Sequence, residues 1–171
     1  MKKIGLLSDT HGDFPDRIYE YFAQVDEIWH AGDIGSISVT DKIAAFKPLR
    51  AVYGNIDDHS IRLEHPEYRF FELEGVSVLM THIAGKPGKY AKPAHELIKK
   101  YQPKLFICGH SHILLVKNDP LFNMLWLNPG ACGNKGFHKQ KTLLRFDLDQ
   151  GRILNLEAID LGKRALENNS I

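Results

Sequence analysis

The chain has 171 residues, of which 43% are hydrophobic, and this length fits one globular domain over residues 1–171. Its 22 lysines and arginines against 21 aspartates and glutamates leave a formal charge of +1, which excludes the broad positive surface of a stable nucleic-acid or anionic-membrane binder. Cys108 and Cys132 form no CxxC pair, and no apolar run approaches the roughly 20 residues of a membrane span. We therefore expect a cytoplasmic protein with two free thiols.

Five short apolar segments, each ending at Gly, Ser or Thr, predict buried strands in the first two thirds of the chain. In chain order they are KIGLLS, EIWHAG, LRAVYG, VSVLMT and KLFICG. Apolar residues at helical spacing predict one helix from Ile18 to Val25 and a second from Ile37 to Phe46, before Pro48. This alternation of strands and helices favours a parallel sheet and an α/β fold.

From Tyr68 onward the pattern changes to paired strands. RFFELEG and VSVLMTH predict a hairpin that turns at Glu74-Gly75, and a helix is predicted from Pro93 to Gln102. LLVKND, NMLWLNP, TLLRFDL and RILNLEAI predict an antiparallel meander. Parallel strands in one half and antiparallel strands in the other indicate two sheets packed face to face, and residues 164–171 are predicted to form a loose tail.

Polar residues able to bind a metal follow five of the predicted strands, and open sheets bind ligands outside the carboxyl ends of their strands. Their mixed nitrogen and oxygen donors suit Mn, Fe, Co, Ni or Zn better than Mg or Ca. The candidate ligands are Asp9, His11, Asp33, Asn55, His82, His110 and His112.

The spacing of the candidates suggests how they converge. Asp9 and His11, and again His110 and His112, are two residues apart, so that in an extended segment both side chains of a pair point the same way and serve one site. Three candidates directly follow a glycine, whose missing Cβ permits a sharp turn and a close backbone approach. These glycines are Gly32, Gly54 and Gly109.

Five motifs occur in order along the chain: DTHGD, HAGD, GNIDD, THIAG and GHSH. Together they resemble the motif set of the calcineurin-like metallophosphoesterase superfamily. The compact length and the NPGA segment at residues 128–131 make the chain similar to its small bacterial and archaeal phosphodiesterases of the YfcE type. The resemblance implies a four-layer α/β/β/α sandwich, two mixed sheets flanked by helices, and a binuclear metal centre.

The resemblance also implies roles for the candidate residues. It assigns one divalent transition metal, Mn first among the choices, to Asp9, His11 and His112. It assigns the second to Asn55, His82 and His110. Asp33 would bridge both ions and, with Asn55 and His82, act in catalysis. A hydroxide between the two ions would then attack a small phosphodiester in line.

Two positions depart from the family pattern. Ile56 follows Asn55 where many relatives have a histidine, so assistance to the leaving group is missing, and we expect a preference for activated aryl phosphodiesters. Ile83 and Ala84 separate His82 from Gly85, where the family often has glycine directly after the histidine, which predicts a differently shaped loop.

Several other polar residues have two interpretations. His30, inside an apolar strand, is expected to be buried and to orient the Asp33 turn. Asp13 and Asp57 either support metal-bound histidines or shape turns. The remaining histidines are expected to be solvated, and the lysines around Phe137 either attract phosphate or form a solvated loop. These are His59, His65, His95 and His138, and Lys135, Lys139 and Lys141.

Two rival functions stay open from the sequence. One is a metal-binding scaffold without catalysis, because the retromer subunit resembles these enzymes but serves mainly in assembly. The other is a phosphomonoesterase or nuclease on the same centre, although the near-neutral charge argues against long nucleic-acid substrates. Neither a membrane nor a stable nucleic-acid partner is expected, and assembly of identical chains stays open.

Overall fold

The computed structural model describes residues 1–165, and more of them lie in strands than in helices. In chain order the elements are β1 (Lys2–Leu7), α1 (Arg17–Tyr21), β2 (Glu27–His30), α2 (Ile37–Phe46), β3 (Leu49–Ala51), α3 (His59–Glu64), β4 (Tyr68–Leu73), β5 (Val76–Thr81), β6 (Gly85–Lys86), β7 (Lys89–Tyr90), α4 (Lys92–Tyr101), β8 (Leu105–Ile107), β9 (Leu114–Asp119), β10 (Met124–Pro129), β11 (Gln140–Asp149) and β12 (Arg152–Lys163). Within residues 1–165, no helix combines the length and the apolar character needed to span a membrane.

Ten of the strands form two five-stranded mixed sheets, as the resemblance implied, and β6 and β7 pair with each other. The first has the order β12-β11-β1-β2-β3, with β1, β2 and β3 parallel and β11 antiparallel to β1. The second has the order β4-β5-β8-β10-β9, with β5, β8 and β10 parallel and the edge strands antiparallel. Each sheet therefore contains three parallel strands whose carboxyl ends lie at one edge.

Three apolar clusters define four layers. The inner faces of the two sheets share one cluster, in which Trp29 and Phe146 of the first sheet pack with Val78 and Ile107 of the second. Helices α1 and α2 cover the outer face of the first sheet, and α4 covers the outer face of the second. This arrangement confirms the α/β/β/α sandwich, and it holds the two parallel sets face to face.

The predicted hairpin is confirmed: β4 and β5 pair antiparallel, and both Glu74 (φ 50°) and Gly75 (φ 76°) have the left-handed backbone of a tight turn. The predicted four-strand meander is wrong. β10 pairs with β9 and β8 in the second sheet, whereas β11 pairs with β12 and β1 in the first. Residues 130–139 carry the chain from one sheet to the other, so β10 is a parallel strand of the second sheet.

Helix boundaries differ from the predictions in two places. α1 ends at Tyr21, because the chain continues in tighter turns through Phe22 and Val25, which are still buried. α3 follows Asp58, whose carboxylate accepts the Ile61 N–H at 3.1 Å, and it was not predicted. The predicted loose tail lies outside the described residues from 166 onward. Its first residue, Arg164, is anchored by hydrogen bonds.

One ion pair joins the neighbouring strands β2 and β3 and provides a test of the packing. Burial alone would raise the pKa of Glu27, but hydrogen bonds from Arg50 (2.8 Å) and Trp29 (3.2 Å) outweigh it and hold the pKa below its ordinary value of 4.5. A lowered pKa in the folded state stabilises the fold above the unfolded pKa, and this stabilisation disappears as the pH falls through the folded value.

We expect Glu27→Gln to lower the free energy of unfolding by about 1 kcal/mol at pH 7. The difference should shrink as the pH falls through the folded pKa of Glu27 and vanish below it, where the wild-type carboxylate is protonated in both states. Urea denaturation at pH 7 and at a series of lower pH values measures it. Glu72→Gln, at an exposed position on β4, is the control and should have no comparable effect. A loss that stays the same across the pH series would contradict the ion-pair explanation.

Candidate metal centre

The candidate ligands lie in the loops that follow the parallel strands. The loop after β1 carries Asp9 and His11, and the loops after β2 and β3 carry Asp33 and Asn55. From the second sheet, the loop after β5 begins with His82, and the loop after β8 carries His110 and His112. Both sheets therefore contribute side chains to one edge of the sandwich.

Six of the seven candidates form two groups that share Asp33. Nitrogen and oxygen atoms in each group lie within 4.8 Å of one another, which is close enough to hold one metal ion. The first group is Asp9, His11, Asp33 and His112, and the second is Asp33, His82 and His110. Asn55 is exposed and lines the cavity beside both groups. These six residues divide as the resemblance implied, and the assignment of Asn55 to the second group stays a prediction.

The backbone conformation at the ligand positions differs from the extended geometry that the sequence predicted. Asp9, His11, Asp33, His110 and His112 all have a left-handed backbone, with φ between 48° and 69°. The extended geometry expected for the two pairs is therefore wrong, and His110 and His112 fall into different groups. Non-glycine residues rarely adopt this conformation, and its concentration here is typical of a functional site.

The glycines before the candidates are required for close approach, as predicted. A Cβ on Gly32 would lie 2.6 Å from Nδ1 of His82, and one on Gly54 would collide with the Asp33 carboxylate. A Cβ on Gly109 would collide with the Ser8 hydroxyl. Any side chain at these positions would displace a candidate ligand or the residue that supports it.

One carboxylate oxygen of Asp9 accepts hydrogen bonds, and the other accepts none. Its Oδ2 accepts hydrogen bonds from the Ser8 hydroxyl (2.6 Å) and the His110 N–H (3.2 Å). Its Oδ1 has no hydrogen-bond partner, although it lies 3.1 Å from Nε2 of His112. The hydrogen bonds to Oδ2 fix the carboxylate, and the unpaired Oδ1 faces the histidines of the first group.

His82 and Asp33 are fixed in the same way. Nδ1 of His82 donates to the Ala31 carbonyl at 2.7 Å, which leaves Nε2 facing the Asp33 carboxylate at 3.2 Å. Burial alone would lower the pKa of His82, but Asp33 and Asp9 outweigh it and raise that pKa. Burial opposes ionisation of Asp33, yet His82, the Ile56 N–H and His11 hold its pKa below the usual range.

The unpaired buried atoms fit a metal. Asp9 Oδ1, His11 Nε2 and His82 Nε2 are buried and have no hydrogen-bond partner. Burial also lowers the pKa of His11, against the attraction of Asp33 and Asp9, and this favours the neutral imidazole that coordinates metals. Unpaired buried donors and acceptors cost free energy, and divalent ions among them would remove that cost.

His30 supports the site from the core, as expected. It is fully buried, and burial lowers its pKa to about 3, so the ring is neutral. Its Nδ1 accepts the Gly32 N–H, so Nε2 carries the proton and donates to the Thr10 hydroxyl at 2.9 Å. That hydroxyl donates to the Ile34 carbonyl at 2.8 Å, which ties the β1 and β2 loops together.

Asp57 and Asp13 shape loops and do not contact the candidate histidines through the hydrogen bonds observed. The Asp57 carboxylate accepts N–H groups of Gly54 (2.7 Å), Gly35 (2.8 Å) and Ile34 (3.1 Å). Asp13 accepts a hydrogen bond from Asn134. The turn interpretation therefore holds for Asp57, whereas the Asp13 carboxylate links the loop after β1 to the connection between β10 and β11.

Two supporting residues were missed or misjudged from the sequence. Asn128 of the NPGA segment is fully buried and donates to the Gly109 carbonyl (2.8 Å) and the Ser111 hydroxyl (3.0 Å), which braces the GHSH loop. His138, expected to be solvated, is half-buried and lies 3.2 Å from His112 through their Nδ1 atoms. The expectation for His138 was wrong because the β10–β11 connection folds over the first group.

Two cavities meet at Asn55. One of about 500 Å³ extends from Asn55 and His82 past Tyr53, Tyr68 and Leu97. The other, of about 430 Å³, lies over Asp33 and both GHSH histidines and is bordered by exposed apolar side chains. These are Ile56, Ile113 and Phe137, of which Phe137 is fully exposed. Both volumes suit small organic groups.

A sandwich of two mixed sheets with a histidine and carboxylate cluster at one edge defines a class of metal-dependent phosphoesterases, and the comparisons agree. The family model described as the calcineurin-like phosphoesterase superfamily domain matches residues 1–151. The chain belongs to this superfamily, whose members are metal-dependent. A probable metallophosphoesterase of Methanothermobacter thermautotrophicus is 31% identical over 133 residues, covering 75% of this chain and 76% of that protein.

A phosphodiesterase of Methanocaldococcus jannaschii is 27% identical over 149 residues, covering 76% of this chain and 84% of its own. Among solved structures, the E. coli phosphoesterase YfcE superposes with a TM-score of 0.60 at 18% identity, covering 92% of this chain and 99% of its own. Chaetomium thermophilum Vps29 superposes with a TM-score of 0.74 at 12% identity, covering 95% and 100%. At these identities, the structural likenesses establish the fold alone.

We expect Mn²⁺ to raise the melting temperature of metal-stripped protein. An ion that binds only the folded state, at a free concentration of 100 times its Kd, adds about 2.7 kcal/mol per site to the free energy of unfolding. Asp33→Asn should abolish most of this gain, because Asp33 belongs to both groups. Differential scanning calorimetry measures the shift. Asp41→Asn, on the exposed face of α2, is the matched control and should respond like the wild type. An equal gain in both variants would contradict the site.

Proposed function

We propose that this protein is a binuclear metal-dependent phosphodiesterase that hydrolyses a small phosphodiester. The observation that carries the proposal is the pair of ligand groups that share Asp33, with unpaired buried atoms directed into them. Asp9, His11 and His112 would hold one ion with Asp33. Asn55, His82 and His110 would hold the other. The mixed donors favour Mn, with Ni, Co, Fe and Zn as alternatives.

When bound, two divalent ions supply an activated water for in-line attack and stabilise the phosphoryl oxygens. The chain's own residues prepare this chemistry. The Ile56 N–H fixes one oxygen of Asp33 at 3.1 Å, and the Ala31 carbonyl fixes the ring of His82. Because burial keeps His11 neutral, its lone pair is available near neutral pH. The centre is therefore arranged before a ligand enters.

The cavities support a diester rather than a monoester. Asn55 lies between them, so a phosphoryl group there has space for an organic group on each side. The larger cavity is lined by Tyr53, Tyr68, Ile83 and Leu97 together with Arg62, Glu67 and Glu96. The two glutamates disfavour a polyanionic nucleic acid, whereas the tyrosines and aliphatic side chains suit an aryl or similar apolar group.

A cytoplasmic location is part of the proposal. Both cysteines are buried free thiols, which fits a reducing compartment. Neither a membrane nor a stable nucleic-acid complex is expected as a partner. The scaffold alternative is disfavoured because all seven candidate ligands are present in the sequence and six of them form the two groups.

We expect metal-stripped protein to hydrolyse bis-p-nitrophenyl phosphate only after addition of Mn²⁺, Ni²⁺, Co²⁺, Zn²⁺ or Mg²⁺, with Mn²⁺ most effective. Asp33→Asn should reduce kcat/KM at least about 100-fold, since even residues that merely support ligands contribute 10- to 100-fold. Asp41→Asn is the control. Two bound ions without turnover on any ester would favour the scaffold. Faster turnover of p-nitrophenyl phosphate or oligonucleotides would favour a monoesterase or nuclease.

Ile56 provides a test of leaving-group dependence. Ile56 is 45% exposed and borders the cavity over Asp33, but its side chain can donate no proton to a departing alkoxide. We expect Ile56→His to raise turnover of diesters with alkyl leaving groups about 100-fold and to change bis-p-nitrophenyl phosphate hydrolysis little. Ile56→Leu, which adds no imidazole, is the control. No gain on alkyl esters would refute this explanation of substrate preference.

A further inference from the structure

The connection between β10 and β11 places the last histidine of the chain, His138, against the first ligand group. His138 lies on this connection and is half-buried. Its Nε2 is 2.9 Å from the Gly133 carbonyl oxygen, and its Nδ1 is 3.2 Å from Nδ1 of His112. The two rings meet edge to face, with centroids 5.1 Å apart. The contact therefore joins two imidazoles through specific nitrogen atoms.

The partners of His138 determine which nitrogens carry protons. The Gly133 carbonyl can only accept, so Nε2 of His138 carries the proton, and Nδ1 of the neutral ring is an acceptor. Nδ1 of His112 must then be the donor. This leaves the lone pair of His112 on Nε2, which lies 3.1 Å from the unpaired Oδ1 of Asp9. Nε2 is the atom directed into the first ligand group.

We propose that His138 is a positioning residue that fixes the tautomer and ring orientation of His112 for metal binding. The inference rests on the metal centre under "Proposed function". Metal-bound histidines commonly donate their second N–H to a carboxylate, a carbonyl or water, which orients the ring. Here a neutral imidazole, itself fixed by a backbone carbonyl, is the acceptor.

The connection that carries His138 is anchored from the end of β12. Arg164 donates to the carbonyl oxygens of His138 (3.0 Å) and Asn134 (3.2 Å). The Asn134 side chain in turn donates to Asp13 in the loop after β1. These contacts link the His138 loop to the loop that carries Asp9, so the acceptor and the ligand group keep a fixed separation.

Gly136 completes the arrangement. Its φ is 125°, and a Cβ there would collide with Nδ1 of His112 and lie 3.2 Å from Nδ1 of His138. The backbone of this residue therefore packs directly against the pair of rings. A glycine is required for the two imidazoles to approach each other across this connection.

The test measures Mn²⁺ binding by titration calorimetry on metal-stripped full-length protein. His138→Phe keeps the ring volume and removes the acceptor, so we expect one of two bound ions to weaken 10- to 100-fold, with the other changed less than about 3-fold. His138→Asn retains an acceptor oxygen near the former Nδ1 and should recover most of the affinity. His59→Phe, at an exposed position on α3, is the matched control and should bind like the wild type.

Unchanged affinity in His138→Phe would overturn the inference. So would equal weakening of both ions in the Phe and Asn variants, which would indicate a general structural role. His138→Ala removes the acceptor without adding bulk, so it replaces His138→Phe if that variant does not fold, with the same outcomes. A wild-type protein that binds no Mn²⁺ would overturn the proposed function as well. If the wild type binds two ions and substitution of His138 leaves both affinities unchanged, this inference alone is overturned.

Discussion

Carboxylates and imidazoles that face one another without hydrogen-bond partners impose the strongest constraint on this molecule. Asp9 Oδ1 and the Nε2 atoms of His11 and His82 are buried and unpaired, and Asp33 lies among them. Gathering such atoms away from water is unfavourable until cations neutralise them. The chain holds them there with left-handed backbone at ligand positions and with glycines that admit no side chain. Folding energy is thereby used to prepare a site for ions.

The sandwich makes this gathering possible. Three parallel strands in each sheet present their carboxyl ends at a common edge, so ligands from both sheets meet across the interface. The cluster between the sheets includes Trp29, which is directly followed by His30, the residue that braces the β1 and β2 loops. Core packing and ligand geometry are therefore coupled, because a shift of one sheet against the other would separate Asp33 from His82.

Much of this organisation is accessible from the sequence. Apolar runs ending in small residues predicted the parallel strands, and motif order predicted which residues converge. Two features were not predictable from local patterns. Apolar alternation in β10 and β11 indicates strands but does not identify their partners, so the crossing between sheets was missed. His138 was missed for the same reason, because β10 was expected to be antiparallel, and only a parallel β10 brings the loop after it to the edge where the ligands lie. Left-handed backbone at His110 and His112 depends on contacts that only the fold supplies.

Gly136 shows that an intact set of ligands is not enough to identify an enzyme in this fold. A chain could keep every aspartate and histidine of the two groups and still lose the first group through an alanine at position 136, whose Cβ would occupy the space of the His112 ring. Divergence from catalyst to scaffold could therefore begin at a residue with no chemistry of its own. Enzymes and scaffolds of this fold therefore differ in the space around each ligand residue as well as in the ligand residues themselves.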